Sequence, residues 1–111
     1  MFLRLLAVLS LTATFAGCAV QIGDSCRGGQ DCEGRVCDTT VPGGYCTTYQ
    51  CTLNSCPQEA VCVDFELVQA CMLRCDRNTD CRTDEGYTCR HDHGGIGYCY
   101  IPESTALDAN N

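Results

Sequence analysis

The stretch Cys26-Arg27-Gly28-Gly29-Gln30-Asp31-Cys32, closing at Gly44-Tyr45-Cys46, is echoed by Cys75-Asp76-Arg77-Asn78-Thr79-Asp80-Cys81, closing at Gly97-Tyr98-Cys99. Both stretches open C-x4-D-C and both end G-Y-C; the first two cysteines recur at an offset of 49 and the last at 53. Between them lies a set with different spacing: Cys51, Cys56, Cys62 and Cys71. With Cys37 and Cys89 these make twelve cysteines in three groups of four, two matched units around a different middle, the pattern of an internal repeat.

Outward from that array, composition dictates what it must do. After position 17, Leu, Ile, Val and Phe supply about 15% of the residues and Trp none. Chains below ~20% in these residues and carrying net charge do not bury enough apolar surface to offset backbone entropy. Cysteine, by contrast, exceeds the ~8–10% that marks a disulfide scaffold in a short exported chain. The two facts together define the expected fold class: a small disulfide-rich protein, short β-hairpins and loops stapled by about six disulfides, with little regular secondary structure. Each bridge closing a loop of ~15 residues contributes about 3 kcal/mol by restricting the unfolded chain. Pairing is expected within each group, first cysteine to third and second to fourth. Spacing alone does not decide this, because twelve cysteines allow about 10,000 pairings.

Turn residues punctuate the array at Gly28-Gly29, Pro42-Gly43-Gly44, Asn54-Ser55, Asp76-Arg77-Asn78 and Gly94-Gly95. Short extended segments are expected at 35–37, 45–48, 61–64, 87–90 and 98–101. Residues 66–73 have possible helical character, an irregular loop being the alternative. Residues 19–23 read as a tether and 103–111, which lack cysteine, as a flexible tail.

The start of the chain reads as an address. Met1-Phe2-Leu3-Arg4 is a basic start, 5–15 an apolar run, and Ala16-Gly17 are small residues suited to a peptidase, so 1–17 reads as an export signal. The run falls well short of the ~20 apolar residues that cross a bilayer. Phe15-Ala16-Gly17-Cys18 resembles the lipobox of bacterial lipoproteins. That resemblance implies a lipid-bearing Cys18 and membrane attachment through its acyl chains, which hold stably when two or more are present. It also resolves the odd cysteine count, thirteen in all, by leaving twelve to pair. Ordinary cleavage after Ala16, Gly17 or Ala19 is the alternative. Ala19 stands where an Asp often retains enteric lipoproteins at the inner membrane, so the outer membrane or cell surface is expected. The segments so defined are 1–17 signal, 18–25 tether, 26–46 first unit, 51–71 middle unit, 75–99 second copy of the first, and 103–111 tail.

Charge narrows the partners. The chain carries −7 overall, −8 once Arg4 leaves with the signal, and contains no lysine. Nucleic acid is disfavoured by this sign, as is charge-driven attachment to an anionic bilayer. A protein partner of unknown identity is expected, and no cofactor.

Several clusters invite chemical readings. Thiolate tetrads bind zinc, but the spacings here are C-x5-C, C-x4-C and C-x8-C rather than C-x2-C, and an exported chain favours disulfides. Arg90-His91-Asp92-His93 offers a His-Asp pair faintly similar to a secreted-phospholipase dyad, or two histidines able to share a metal. A solvated loop is the plainer reading, and no catalytic residue or metal site is assigned. Asp76, Asn78 and Asp80 alternate as in a calcium loop, yet Cys81 and Tyr87 stand where the loop needs Gly and Glu. A turn capped by Asp and Asn side chains fits better, and Asp31 and Asp80 are expected to accept backbone hydrogen bonds. The tyrosines are 45, 49, 87, 98 and 100; Tyr49 and Tyr100 have no G-Y-C counterpart and are the candidate partner-facing residues. A single binding face would further require Arg27, Arg35, Arg74, Arg77, Arg82 and Arg90 to share a side with them.

On these residues the chain resembles the small cysteine-rich lipoproteins of myxobacteria. Its C-x4-D-C opening and G-Y-C close are similar to Dickkopf-type modules, and the middle group, with Cys56-Pro57 and Cys62-Val63-Asp64, is loosely similar to EGF-like modules. The resemblance implies location and architecture: an exported, lipid-anchored, non-enzymatic interaction or structural module. A secreted inhibitor or antagonist of a protease or receptor is the alternative.

Overall fold

The computed structural model describes residues 19–102; the leader 1–17, Cys18 and the tail 103–111 lie outside the described residues. Three two-stranded antiparallel hairpins make up the regular structure. The first pairs β1 (Val36–Asp38) with β2 (Tyr45–Thr47), the second β3 (Ala60–Asp64) with β4 (Gln69–Leu73), the third β5 (Thr88–His93) with β6 (Ile96–Tyr100). Three single turns of 3-10 helix precede or connect them, at Gly29–Cys32, Asn78–Asp80 and Thr83–Glu85.

One device builds all three hairpins. The third and fourth cysteines of each group stand directly opposite across the ladder: Cys37 with Cys46, Cys62 with Cys71, Cys89 with Cys99. Opposed residues of an antiparallel pair point to the same face, so both sulfurs face the loop that precedes the hairpin. There they meet the first and second cysteines, giving Cys26–Cys37 with Cys32–Cys46, Cys51–Cys62 with Cys56–Cys71, and Cys75–Cys89 with Cys81–Cys99. This is the crossed arrangement expected from the sequence, and the middle group adopts it despite its different spacing.

The recurring Asp and Gly positions have defined tasks. Asp31 Oδ2 accepts the Arg27 N–H at 2.9 Å; Asp80 Oδ2 accepts those of Asp76 and Arg77 at 2.9 and 3.0 Å. These donors hold the Asp80 carboxyl below the usual carboxylate range. At the other end of each unit the chain passes against its own first cysteine: a Cβ on Gly44 would land on the Cys26 carbonyl oxygen, and one on Gly97 on that of Cys75. Gly44 also sits at φ +71°, where L side chains are strained. The G-Y-C close is therefore a packing requirement.

The hairpins are stitched side by side. Residues following β2 run along β4, with Cys71 N–H donating to Thr48 O (2.9 Å) and Gln50 N–H to Gln69 O (2.8 Å). Past β4, Cys75 N–H donates to Gly97 O at 3.0 Å and Arg74 bridges to Tyr98, tying the second hairpin to the third. Residues 66–73 are not helical: Glu66 turns at φ +71°, Phe65 N–H donates to Val68 O, and 69–73 form β4. Cys71 has to face Cys62 to reach Cys56, and only a strand places it there. Residues 22–24, read from sequence as tether, are docked: Ile22 is fully buried, Gly23 N–H donates to Cys46 O, and Cys46 N–H donates to Asp24 O.

Arg82 ties the first unit to the third. Its guanidinium donates to the carbonyls of Gly23 (2.9 Å), Pro42 (2.8 Å) and Gly44 (2.7 Å), lies 4.5 Å from the Tyr87 ring centroid, and sets Nε 3.1 Å from Glu85 Oε1 in an ion pair off hydrogen-bond alignment. The Tyr87 hydroxyl donates to the same Pro42 carbonyl at 2.9 Å. Charge-assisted bonds contribute about 1.5–3 kcal/mol each and the geometry needs the planar fork. Arg82→Ala is expected to cost about 3 kcal/mol, and Arg82→Lys to recover less than half. Denaturant unfolding without reductant measures both.

Candidate functional site

The cystines and a few apolar side chains form the interior: Ile22, Tyr45, Ala60 and Tyr87 lie among the buried cystines, with a second cluster of Val61, Val63 and Tyr98. So small an interior leaves apolar surface uncovered, and part of it lies where the hairpins meet. A groove of about 320 Å³ opens there, walled by Tyr49, Phe65, Val68, Met72, Tyr100 and Ile101, with the buried rings of Tyr45 and Tyr87 also facing it. All three units contribute, so the groove exists only when they are packed together. Tyr49 and Val68 are each 37% exposed.

The rings around the groove are ordered by one another. Tyr45 stacks on Tyr87 with centroids 5.6 Å apart, Phe65 stacks on Tyr100 at 5.7 Å, and Tyr98 meets Tyr100 edge-on at 6.0 Å. Such offset and T-shaped pairs contribute about 0.5–1.5 kcal/mol each beyond burial. Asp38 is the groove's charged residue. Partial burial, and then the Asp38 carboxylate, raise the Tyr49 phenol above its ordinary value.

The deeper phenols are perturbed more. Burial pushes Tyr45, Tyr87 and Tyr98 up to about 12 each, with the Asp92 carboxylate adding to the effect at Tyr98, whose hydroxyl donates to Asp92 Oδ1 at 2.7 Å. An unfolded phenol ionises near its ordinary value of about 10. The folded chain therefore keeps these protons where the unfolded chain loses them, and stability is lost as pH rises from about 10 through 12. Phenolate absorbance is expected to show these three rings ionising late, with the denaturation midpoint falling over the same window.

The sequence-derived candidates separate in the structure. Tyr49 and Tyr100 converge on the groove. Of the arginines, Arg90 reaches them, its guanidinium carbon 4.9 Å from the Tyr100 centroid while its Nε pairs with Asp92 at 2.7 Å, whereas Arg35 donates to Val20 O, Arg74 to Ala60 O and Arg82 to three carbonyls. The histidines part as well, since His91 Nε2 lies 3.8 Å from Cys89 Sγ while His93 meets Tyr98 edge-on at 6.4 Å. Asn78 Oδ1 accepts the Cys89 N–H, so the alternating Asp76-Asn78-Asp80 oxygens serve the turn. Sulfur atoms of three cysteines in each group lie within 4.8 Å of one another, but all are spent in S–S bonds and carry no thiolate for a metal. Phe65, Val68 and Met72 were missed by sequence reasoning. The signal for two of them was the period-two alternation Val68, Ala70, Met72, which places all three on one face of an extended segment.

Fold and groove define a small cystine-clipped hairpin protein with an aromatic recess on its surface. No family model matches the chain, and no curated protein or solved structure does so. No helix among the described residues is long and apolar enough to cross a membrane.

Proposed function

We propose that this protein is an exported, non-enzymatic interaction module that contacts a protein partner through the Tyr49–Tyr100 groove and is held at a membrane by lipid on Cys18. The observation that carries the contact surface is the convergence of Tyr49, which follows the first unit, and Tyr100, which follows the third, on one open apolar recess. Tyrosine offers large contact area at low entropic cost and is enriched in interfaces. Six disulfides support an oxidising, extracytoplasmic compartment. The Phe15-Ala16-Gly17-Cys18 resemblance to a lipobox, and the resemblance to myxobacterial cysteine-rich lipoproteins, support anchoring at the outer membrane or cell surface. A non-enzymatic role is supported by the state of the cysteines, since all twelve described ones are bridged and none is a nucleophile.

The inhibitor reading has less support. Leu53 (90% exposed) and Leu67 (100% exposed) are the prominent apolar tips, but each sits in a closed turn: Ser55 N–H donates to Thr52 O, and Phe65 N–H to Val68 O. Extended backbone is what adds to a partner's sheet edge or cleft.

Photo-crosslinking from benzoylphenylalanine at positions 49 and 100, with 27 and 77 as exposed controls, tests the contact surface in the producing cell. One shared adduct from 49 and 100, absent from the controls, is expected; equal labelling from all four removes the groove. A palmitate analogue that labels the chain but not Cys18→Ser tests the anchor; an unlabelled chain leaves the secreted form.

A further inference from the structure

The groove continues past its aromatic wall. A second hollow of about 420 Å³ shares Phe65 and Tyr100 with it and is lined further by Asp64, Glu66, Arg90, Asp92, His93 and Tyr98. Its three carboxylates face one arginine, and that arginine is engaged: Arg90 Nε lies 2.7 Å from Asp92 Oδ2 with the guanidinium carbon 4.9 Å from the Tyr100 centroid. Asp92 also accepts the Tyr98 hydroxyl, so its charge is met within the fold. Asp64 Oδ1 accepts the Glu66 N–H at 2.9 Å and the Gln69 side-chain amide at 3.3 Å, neutral donors that leave its charge in place. Glu66 is exposed beside it. The apolar groove itself is lined by no cation.

We infer that groove and hollow act together as a docking surface for a cationic amphipathic segment of a protein partner. An apolar side chain enters the groove while a neighbouring lysine or arginine reaches Asp64 and Glu66 across the Phe65–Tyr100 wall. The inference rests on the reading of the groove as a contact surface and adds the chemistry of what it takes. Arg90 supplies an internal precedent, a guanidinium lying on Tyr100 and bonded to a carboxylate of the same hollow. Charge complementarity selects the occupant. Between residues 19 and 102 twelve carboxylates oppose six arginines, so the protein's field draws cations and repels anions. A second copy brings the same net negative charge to the interface, and an anionic bilayer is repelled for the same reason. The groove volume of about 320 Å³ suits one or two apolar side chains at the small end of binding pockets.

The test titrates the disulfide-intact, 15N-labelled chain with two probes of matched apolar content, acetyl-Leu-Lys-Leu-Lys-amide and acetyl-Leu-Glu-Leu-Glu-amide. The lysine peptide is expected to shift the resonances of Tyr49, Phe65 and Tyr100 and to bind about tenfold more tightly than the glutamate peptide at low ionic strength. That preference should shrink at ionic strengths of 0.1 M and above, where the Debye length is about 10 Å or less. It should shrink again in Glu66→Gln, an exposed site, and in Asp64→Asn. Equal response to both peptides overturns the cationic assignment and leaves the groove standing as a contact surface. Silence at Tyr49 and Tyr100 with both peptides overturns the groove reading as well. A lysine preference undiminished in the Glu66→Gln and Asp64→Asn chains overturns the role of the hollow.

Discussion

Reduction of the folded chain is expected to unfold it completely at 25 °C without denaturant. The bridges close loops with sequence separations of 11 to 18, each worth about 3 kcal/mol on the chain-entropy picture. A small domain holds only about 5–15 kcal/mol in total. Removing all six thus exceeds what the interior of Ile22, two valines and three tyrosines supplies. Deleting one bridge by Cys32→Ala with Cys46→Ala, both fully buried, is expected to cost about 3 kcal/mol or more, since a cavity adds to the lost constraint. Near-ultraviolet circular dichroism with and without reductant reads the first effect and denaturant midpoints the second. Persistent tertiary signal after full reduction would show that side-chain packing, and not the bridges, holds the hairpins.

The next largest effect is expected from a single methyl group. Gly44→Ala places Cβ on the Cys26 carbonyl oxygen at a φ of +71°, so steric overlap and backbone strain act together. Gly97→Ala meets the Cys75 carbonyl oxygen without the positive φ. Gly44→Ala should cost about 3–4 kcal/mol and yield mispaired disulfides on refolding, and Gly97→Ala somewhat less. Gly28→Ala, where a Cβ meets nothing within 4 Å, is the neutral control. Refolding yield and the thiol count of each product decide it. A Gly44→Ala chain that refolds with normal yield and stability would remove close approach as the reason for the G-Y-C close.

Much of this was legible because cysteine spacing constrains a short chain so strongly. With too little aliphatic surface for a core, bridges were required, and the Asp31 and Asp80 turns followed from their position before the second cysteine. The strand at 69–73 was not legible from local propensity. Gln, Ala, Met and Leu favour helix as residues, and the demand that Cys71 oppose Cys62 overrides them, tertiary constraint against intrinsic preference. Burial of Ile22 was hidden for a related reason: one apolar residue among polar neighbours carries no periodicity, and only the packed units create the space it fills. At the candidate site, Tyr49 and Tyr100 stood out in sequence as tyrosines outside the G-Y-C closes, a trait the buried Tyr87 shares. Phe65 and Arg82 did not, because their roles depend on contacts between residues far apart in the chain.

The groove and its chemistry depend on which sulfur joins which, so peptide mapping without reduction is the most direct test. Pepsin digestion at low pH, where thiolate exchange is suppressed, preserves the native pairs. Six linkages are expected: Cys26–Cys37, Cys32–Cys46, Cys51–Cys62, Cys56–Cys71, Cys75–Cys89 and Cys81–Cys99. A bridge joining two of the groups, or free thiol anywhere between Cys26 and Cys99, would contradict a fold made of three separately clipped hairpins.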